Sequence, residues 1–320
     1  MKRIAIIDCD LVSYRSAAAN ERRSIKVTHI VTGQVTEHAH RTAFKEHIRD
    51  IFDIAEFTIE DLQHAEELRF ALHSMNTTIS SLVESCNADT YELYISGKDN
   101  FRDSLPLPSK YKGKRTGIRP VQLKECREHL INKKGAIVVN GREVDDMLAQ
   151  RCYEGVRDGV QTIAVTIDGD QQGVEGYMFN WLKMKEPKLV RGLGEIHLVK
   201  ENRDFDGFGR KFFYAQWVLG DSTDCFKPSE IANKKFGVMA MYKLLANCKT
   251  DKECVEAIYG QYKAWYGEGV TYTAWDGVEH TKSCVEIMDI YAACCHMKRY
   301  EDDVFSTSKL LKALRIEEIN

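Results

Sequence analysis

Four short apolar runs alternate with helical segments, and this alternation constrains the fold more than any other feature. The apolar runs cover residues 3–8, 91–95, 136–139 and 162–167. Helical patterns cover residues 11–20, 41–87, a segment that opens at Pro120, and 143–157. Short apolar runs between helices are typical of strands buried on both faces of a parallel sheet. The sequence therefore predicts an α/β fold with a mostly parallel central sheet between helices.

Two further segments depart from this alternation. Residues 24–40 alternate β-branched and polar side chains around Thr32 and Gly33, which predicts a β-hairpin. Beyond Gly220 the pattern is mainly helical. We therefore expect an α/β domain over 1–218 and a helical region over 219–320.

Composition excludes several classes of protein. The 45 Lys and Arg against 48 Asp and Glu leave a net charge of −3, which excludes a uniformly basic nucleic-acid coat but permits a local basic patch. The sequence has no apolar run of the roughly 18 residues that a membrane span needs. The first apolar run is too short for a signal peptide. The ten cysteines form no Cys-x-x-Cys pair, so we expect reduced thiols in a cytoplasmic protein.

Carboxylates cluster at the ends of the predicted strands and at the starts of helices. The nine acids are Asp8 and Asp10, Glu143, Asp145 and Asp146, Asp168 and Asp170, and Asp221 and Asp224. Parallel strands end at one edge of the sheet, where ligands bind. Like charges gathered there require cations or raised pKa values, and oxygen ligands favour Mg²⁺ or Mn²⁺. The alternative for each cluster alone is ordinary turn or helix-capping chemistry.

A basic segment of the predicted loop, residues 109–119, is the second candidate feature. Its cations are Lys110, Lys112, Lys114, Arg115 and Arg119, and it also holds Tyr111, Gly113 and Gly117. Such a loop can bind phosphates and stack an aromatic ring on a base. Taken alone, it would be a solvated surface loop. Opposite a carboxylate–metal site, its cations would hold a phosphodiester against the metal.

Together these motifs resemble the 5′ nuclease family of flap endonucleases and 5′→3′ exonucleases, most closely its bacteriophage exonuclease branch. The motifs that carry the resemblance are Ile-Ile-Asp8-Cys-Asp10, Tyr111-Lys112-Gly113-Lys114-Arg115, Glu143-Val-Asp145-Asp146, Ile-Asp168-Gly-Asp170 and Gly220-Asp221-Ser-Thr-Asp224. They stand in the family's order within residues 3–245. The resemblance implies a PIN-like fold, a helical arch or clamp formed from the basic loop, and a nucleic-acid-binding C-terminal region with a degenerate helix-hairpin-helix.

The resemblance also implies a site with two Mg²⁺ ions, for which Mn²⁺ can substitute. The ligands it implies for the first ion are Asp8, Glu143, Asp145 and Asp146. Asp146 and Asp168 are implied to face the gap between the ions. The second ion's group is Asp170, Asp221 and Asp224, and Asp10 is a further contributor.

Nucleic-acid contacts follow from the same resemblance. Lys112 and Arg115 are similar to the family's cleavage-site cations, Arg15 suits a place at the phosphate, and Tyr111 is similar to its base-stacking aromatic. The remaining DNA-binding cations implied are Lys110, Lys114, Arg119, Lys234 and Lys235.

Two departures from the family pattern stand out. Gly97 occupies the place of an acid after the second strand, and Asp99 is a candidate replacement. In the helix-hairpin-helix, only Gly237 remains of the hairpin glycines.

The implied activity is that of a metal-dependent 5′→3′ exodeoxyribonuclease or flap endonuclease, with RNase H-type activity as an extension. Its partners would be DNA with a duplex 5′ end, a flap or a single-strand junction, and RNA–DNA hybrid. The protein would act as a monomer in the cytoplasm, the host's if it is viral.

Three alternatives stay open. Asp8 and Asp10, with Val12 after them, also fit a haloacid-dehalogenase-like phosphatase that uses the first Asp as its nucleophile. A PIN-type ribonuclease shares the fold and the metal chemistry. A catalytically degenerate nucleic-acid-binding protein is favoured by Gly97.

Overall fold

The computed structural model describes residues 1–49, 51–114 and 116–317, which form two compact units. Unit 1 combines residues 1–8, 82–116 and 137–320, and unit 2 combines 9–81 and 117–136. The predicted functional division between residues 218 and 219 stays a prediction.

The strands, in chain order, are β1 (Arg3–Asp8), β2 (Glu21–His29), β3 (Val35–His38), β4 (Phe57–Ala65), β5 (Thr90–Asn100), β6 (Ile137–Gly141), β7 (Gln161–Val165), β8 (Gly176–Phe179), β9 (Lys188–Val190), β10 (Glu195–Val199), β11 (Asp204–Phe208), β12 (Gly269–Thr273) and β13 (Glu279–Ser283). The α-helices are α1 (Cys9–Ala19), α2 (Arg41–Ile48), α3 (Leu68–Ser85), α4 (Leu123–Lys134), α5 (Val144–Arg157), α6 (Arg210–Leu219), α7 (Val238–Leu245), α8 (Asp251–Tyr266), α9 (Cys284–Cys295) and α10 (Thr307–Leu314). Short 3₁₀ turns cover Ile54–Glu56, Phe101–Ser104 and Asp170–Gly173.

A six-stranded sheet organises unit 1, in the order β6-β5-β1-β7-β8-β9. Its first five strands are parallel, and β9 runs antiparallel to β8. One face buries an apolar cluster that joins strand residues such as Ile6 and Ala164 to Val144 and Leu148 of α5. All four strands expected from the apolar runs form, so the prediction of a mostly parallel sheet is confirmed.

The C-terminal part of unit 1 is mainly helical, as the sequence pattern indicates. Helices α6 to α9 share a large core around Trp217, which is completely buried and donates its indole N–H to the carbonyl of Met288 at 2.9 Å. The antiparallel hairpin β12–β13 interrupts the helices.

Unit 2 holds an antiparallel sheet in the order β3-β2-β4. The β2–β3 hairpin confirms the hairpin predicted over residues 24–40. The continuous helix predicted over 41–87 is wrong in its middle, where β4 pairs along its whole length with β2. The cause is tertiary: Phe57 and Ile59 of β4 pack against a core formed by Ile25, Val27 and Phe44, among others, and this burial outweighs local helix propensity.

The loop that follows β5 also differs from expectation. No α-helix forms within the described residues 105–114 and 116–122, so the helical arch implied by the resemblance is not formed there. The helix predicted to open at Pro120 begins three residues later, as α4 at Leu123. No helix among the described residues is long and apolar enough to cross a membrane.

Candidate metal centre

Two neighbouring strand ends of the sheet bring carboxylates together. Strand β1 ends at Asp8, and β7, its parallel neighbour, leads into Thr166 and Asp168. The Thr166 hydroxyl donates to Asp8 Oδ2 at 3.3 Å and accepts from the backbone N–H of Asp168 at 3.1 Å. This single hydroxyl therefore couples the two strand ends and places both acids at the carboxyl edge of the sheet.

Three carboxylates in this cluster are protonated more readily than ordinary ones. Burial raises the pKa of Asp145, and the nearby charges on Asp168 and Asp8 raise it further. Burial likewise raises the pKa of Asp170, with Asp168 adding to the effect. Burial raises the pKa of Asp168 in spite of the opposing Lys112 ammonium. These shifts indicate a concentration of negative charge that a cation would relieve.

Asp145 has an unsatisfied carboxylate oxygen in this cluster. Its side chain is 9% exposed, and its Oδ1 is buried without a hydrogen-bond partner. Next to it, Gln171 donates to the backbone carbonyl of Asp145 at 2.8 Å, which fixes the start of α5. A buried carboxylate oxygen without a partner is costly, and coordination of a cation would satisfy it.

The acids of the predicted second-metal group, Asp170, Asp221 and Asp224, lie on two further segments of the chain. Gln216 of α6 donates to Asp170 Oδ1 at 2.6 Å and orients that carboxylate. Asp221 and Asp224 lie in a tight turn closed by paired backbone hydrogen bonds between Asp221 and Phe226. Gly220 permits this turn, because it has a φ of 87° and a side chain there would overlap the Phe226 carbonyl.

Lys112, the predicted cleavage-site cation, lies among these acids. Its ammonium pairs with Glu143 and lies 3.5 Å from Asp224 Oδ2. Its backbone N–H donates to the carbonyl of Asp224 at 2.9 Å, and its φ of 53° turns the chain back toward the cluster. Lys112 therefore offsets part of the negative charge on the site.

Tyr111 does not do what the resemblance implies. Its ring is 2% exposed, so the prediction that it stacks on a base is wrong for this structure. Its hydroxyl donates to Asp224 Oδ2 at 2.7 Å and lies 3.3 Å from Glu143 Oε2. Tyr111 therefore fixes two acids from inside the core, where its ring is among the buried side chains of the helical part.

Asp146 must be removed from the set of metal-facing acids. Arg102, itself completely buried, donates to both of its carboxylate oxygens, at 2.6 and 3.0 Å. The backbone N–H groups of Lys298 and Glu143 add two further hydrogen bonds. Burial alone would raise the pKa of Asp146, but Arg102 outweighs it and holds the pKa below its usual value. Asp146 is a buried ion-pair partner that anchors α5, and both its oxygens are occupied.

Arg102 is a residue that sequence reasoning missed. Besides Asp146, it donates to the carbonyls of Cys294 and His296, both at 3.1 Å. It therefore ties the loop after β5 to the end of α9. No signal in the sequence distinguishes this arginine from the other cations of the loop, because its partners lie far away along the chain.

Asn100, not Asp99, approaches the site from β5, the second of the four strands predicted from the apolar runs. Its amide donates to Glu143 Oε1 at 3.1 Å, whereas Asp99 is exposed. An irregularity in the β5–β6 pairing between Ser96 and Asn100 accounts for this placement. At Gly97, a side chain would overlap Asn140 Oδ1, so an acid at this position would require the Asn140 side chain to move. Asp99 therefore does not replace that acid in this structure.

The remaining predicted residues lie as follows. Lys114, Lys234 and Lys235 are exposed in unit 1, and Arg15 and Arg119 are exposed in unit 2. Asp10, also in unit 2, is ion-paired with Arg127 of α4. Arg115 lies outside the described residues.

The acids offer the oxygen ligands that a hard divalent cation prefers, but their side chains are not arranged to hold one. The acids offer only oxygen atoms, which Mg²⁺ and Mn²⁺ prefer, and the unpartnered Oδ1 of Asp145 is one available donor. As the side chains stand, no three His, Cys, Asp or Glu residues in the described part of the chain are grouped to hold an ion. In this arrangement the Lys112 ammonium, paired with Glu143, supplies positive charge to the acids. Metal binding would therefore require carboxylates to turn and Lys112 to withdraw.

Comparison with solved structures identifies the fold. The chain matches a bacteriophage T5 flap endonuclease variant, solved as a pseudo-enzyme–product complex with DNA and metal ions, over 98% of both chains, with a TM-score of 0.51 and 15% identity. A zinc-bound T5 5′-exonuclease matches over 98% of this chain and 90% of its own, with a TM-score of 0.47 and 15% identity. No protein-family model matches the sequence, and no curated protein matches it either. The first match confirms that this chain has the fold of the 5′ nucleases.

The raised pKa values predict a pH-dependent response to metal. Folded Asp145, Asp168 and Asp170 have pKa values above the ordinary 3.8, so the folded state binds more protons than the unfolded chain. Metal-free stability should therefore fall as pH rises from about 4 through the folded pKa values. Mg²⁺ at about 100 times its Kd should add roughly 2.7 kcal/mol at pH 8, a Tm increase of about 4 °C for a chain of 320 residues, and much less at pH 5.

Thermal melts at both pH values, with and without Mg²⁺, check this prediction. NaCl at matched ionic strength controls for screening. Equal melting temperatures with and without Mg²⁺ at pH 8 would contradict the assignment of these acids to a metal centre.

Proposed function

We propose that this protein is a divalent-metal-dependent 5′ nuclease that hydrolyses phosphodiester bonds in DNA. The observation that carries the proposal is the buried carboxylate cluster at the carboxyl edge of a parallel sheet, with the unpartnered Oδ1 of Asp145 in it. The fold shared with a flap endonuclease over 98% of both chains supports the same conclusion. The DNA and metal ions in that neighbour's complex suggest the substrate and the cofactor.

Asp8, Asp145, Asp168 and Asp170 would hold the metal, with Glu143 and Asp224 joining once Lys112 has moved. Bound Mg²⁺ would supply a water of lowered pKa and stabilise the leaving oxygen. Thr166 keeps Asp8 and Asp168 in place, and Gln216 keeps Asp170 in place. Tyr111 and Asn100 restrain Asp224 and Glu143. These partners preorganise the acids, which limits the rearrangement needed when metal and DNA bind.

Lys112 would change its partners when metal and DNA bind. In the structure it neutralises Glu143 and Asp224. With Glu143 and Asp224 holding a metal ion, the Lys112 ammonium would be free to bind a substrate phosphate. A cation there stabilises the negative charge that builds up in the transition state.

A substrate panel tests the proposal and its alternatives. The substrates are a 5′-flap DNA, a blunt duplex, an RNA–DNA hybrid, a single-stranded RNA and p-nitrophenyl phosphate, the nucleic acids labelled at either the 5′ or the 3′ end. We expect Mg²⁺-dependent products from the 5′ end of the flap and duplex DNA. Release of p-nitrophenol alone would establish a phosphatase, and cleavage of the RNA alone a PIN-type ribonuclease. DNA binding without cleavage of any substrate would establish a degenerate nuclease.

The phosphatase alternative has less support from the geometry. The second Asp of the Asp8-x-Asp10 pair, Asp10, is ion-paired with Arg127 of α4, so its carboxylate is already engaged by a cation. The fold shared with a flap endonuclease also favours the nuclease.

Lys112 and Lys114 should differ sharply when replaced. Lys112→Ala should slow single-turnover cleavage by about 10²–10³-fold at saturating DNA, as expected for loss of one transition-state cation. Lys114 is exposed, so Lys114→Ala should weaken binding modestly and flatten the salt dependence by about one phosphate contact. Single-turnover rates and salt titrations of DNA binding measure both effects. Equal rate losses for the two variants would show that Lys112 has no special role.

A further inference from the structure

The hairpin β12–β13 presents an exposed tryptophan beside the basic segment. Trp275, at the turn of the hairpin, is 40% exposed. The ammonium of Lys110 lies 5.0 Å from the centre of its ring. Proteins that bind single-stranded nucleic acid commonly combine a large flat aromatic ring with a nearby cation, because the ring stacks on a base and the cation binds the phosphate.

Hydrogen bonds fix the part of the hairpin that carries this ring. The backbone N–H of Trp275 donates to the carbonyl of Leu107 at 2.9 Å, and Leu107 is itself buried. The Tyr272 hydroxyl donates to the carbonyl of Pro106 at 2.6 Å. The turn is closed by the N–H of Ala274, which donates to the carbonyl of Val278 at 2.9 Å. The hairpin is therefore attached to residues 106–107 at two points.

Residues 106–112 link the hairpin contact to the acid cluster. Lys110 lies two residues before Lys112, a chain distance of at most about 7 Å between Cα atoms. Lys112 and Tyr111 both contact Asp224. Residues 106–112 therefore hold the hairpin that carries Trp275 at one end and supply the cation of the candidate metal centre at the other. A strand whose phosphate lies at the acids can reach Trp275 within a few nucleotides.

Trp275 also fills a role that Tyr111 cannot. The buried ring of Tyr111 has no face available to a base. Trp275 is 40% exposed with Lys110 at its ring, so part of its side chain is open to solvent.

Resting on the nuclease function proposed above, we propose that Trp275 is the base-stacking residue of this site, and that it binds an unpaired base of single-stranded DNA while Lys110 contacts the adjoining phosphate. Trp275 is a binding and positioning residue in this assignment. It selects substrates with an unpaired strand over fully paired ends.

The test is a binding measurement in EDTA, where metal-dependent cleavage cannot interfere. The probe is 5′-flap DNA with the fluorescent base 2-aminopurine at successive flap positions, and a blunt duplex of the same sequence is the matched control. Wild-type protein should quench the fluorescence at one or two flap positions. Trp275→Ala should abolish this quenching and raise the Kd for flap DNA by about 5- to 150-fold, with little change for blunt duplex.

Two further variants sharpen the result. Trp275→Phe should retain most of the affinity, because it keeps an aromatic face. Tyr153→Ala removes another exposed aromatic, on α5, and should bind as wild type does. An unchanged Kd for flap DNA in Trp275→Ala, equal losses for flap and blunt DNA, or no DNA binding by the wild type would overturn the assignment.

Cleavage separates this inference from the proposed function. If the wild type fails to cleave any DNA in Mg²⁺ yet shows position-specific quenching, the nuclease proposal fails and the stacking assignment stands. If the wild type cleaves flap DNA and Trp275→Ala does so with unchanged KM and kcat, the nuclease proposal stands and the stacking assignment fails.

Discussion

Asp168→Asn and Asp145→Asn should each reduce single-turnover cleavage of 5′-flap DNA by at least about 10³-fold. Each substitution keeps the side-chain shape and removes one charged donor from the buried cluster. A catalytic metal contributes several kcal/mol of transition-state stabilisation, and each 1.36 kcal/mol is a factor of ten in rate. Burial and the charge of Asp168 already raise the pKa of Asp145, so Asp145→Asn should also stabilise the metal-free protein.

The matched control for these variants is Asp99→Asn. Asp99 lies near the end of β5 but is exposed, and the neighbouring Asn100 contacts Glu143. It should cleave at a rate within a few-fold of the wild type. Near-normal turnover in Asp168→Asn, or equal losses in Asp99→Asn and Asp168→Asn, would refute the site assignment.

Breaking the buried pair between Arg102 and Asp146 should cause the largest loss of stability. Arg102→Met leaves the Asp146 carboxylate completely buried without its bidentate partner. Removing one partner of a buried ion pair typically costs about 3–5 kcal/mol. Asp146→Asn should cost a similar amount, because it leaves the guanidinium uncompensated. Urea unfolding of both variants, monitored by circular dichroism, measures the free energy of unfolding.

The double variant Arg102→Met with Asp146→Leu separates charge from packing. Replacing both charges by apolar groups should recover much of the lost stability, because no unpaired buried charge remains. If either single variant unfolds at the wild-type urea concentration, the pair does not anchor the loop after β5 to α5 and the end of α9.

The sequence predicted the parallel sheet because burial on both faces leaves a local mark. The runs at 3–8 and 162–167 consist mostly of apolar and β-branched residues, and no long-range information is needed to recognise them. Asp8 at the end of β1 and Asp168 after β7 lie at one edge of the sheet, since parallel topology dictates that placement. Strand β4 was missed because its pairing with β2 is long-range and its own residues include many good helix formers.

The predicted site failed wherever a side chain's partner lies far along the chain. Asp146 reads as one more acid in a helix's first turn, yet its partner Arg102 lies 44 residues earlier. Tyr111 sits in a polar loop, but its ring enters the core of the helical part and its hydroxyl meets Asp224. Asn100 reaches Glu143 only because the pairing of β5 with β6 shifts register. None of these contacts has a local sequence pattern.

The central claim is that the buried carboxylates form a divalent-metal centre that hydrolyses DNA. Cleavage of 5′-labelled flap DNA, measured in EDTA and again after titration with Mg²⁺, tests it most directly. We predict no cleavage in EDTA, recovery with rising Mg²⁺ in the wild type, and no recovery in Asp145→Asn at the Mg²⁺ concentration that saturates the wild type. Full cleavage in thoroughly chelated protein, or an identical Mg²⁺ titration in Asp145→Asn, would contradict the claim.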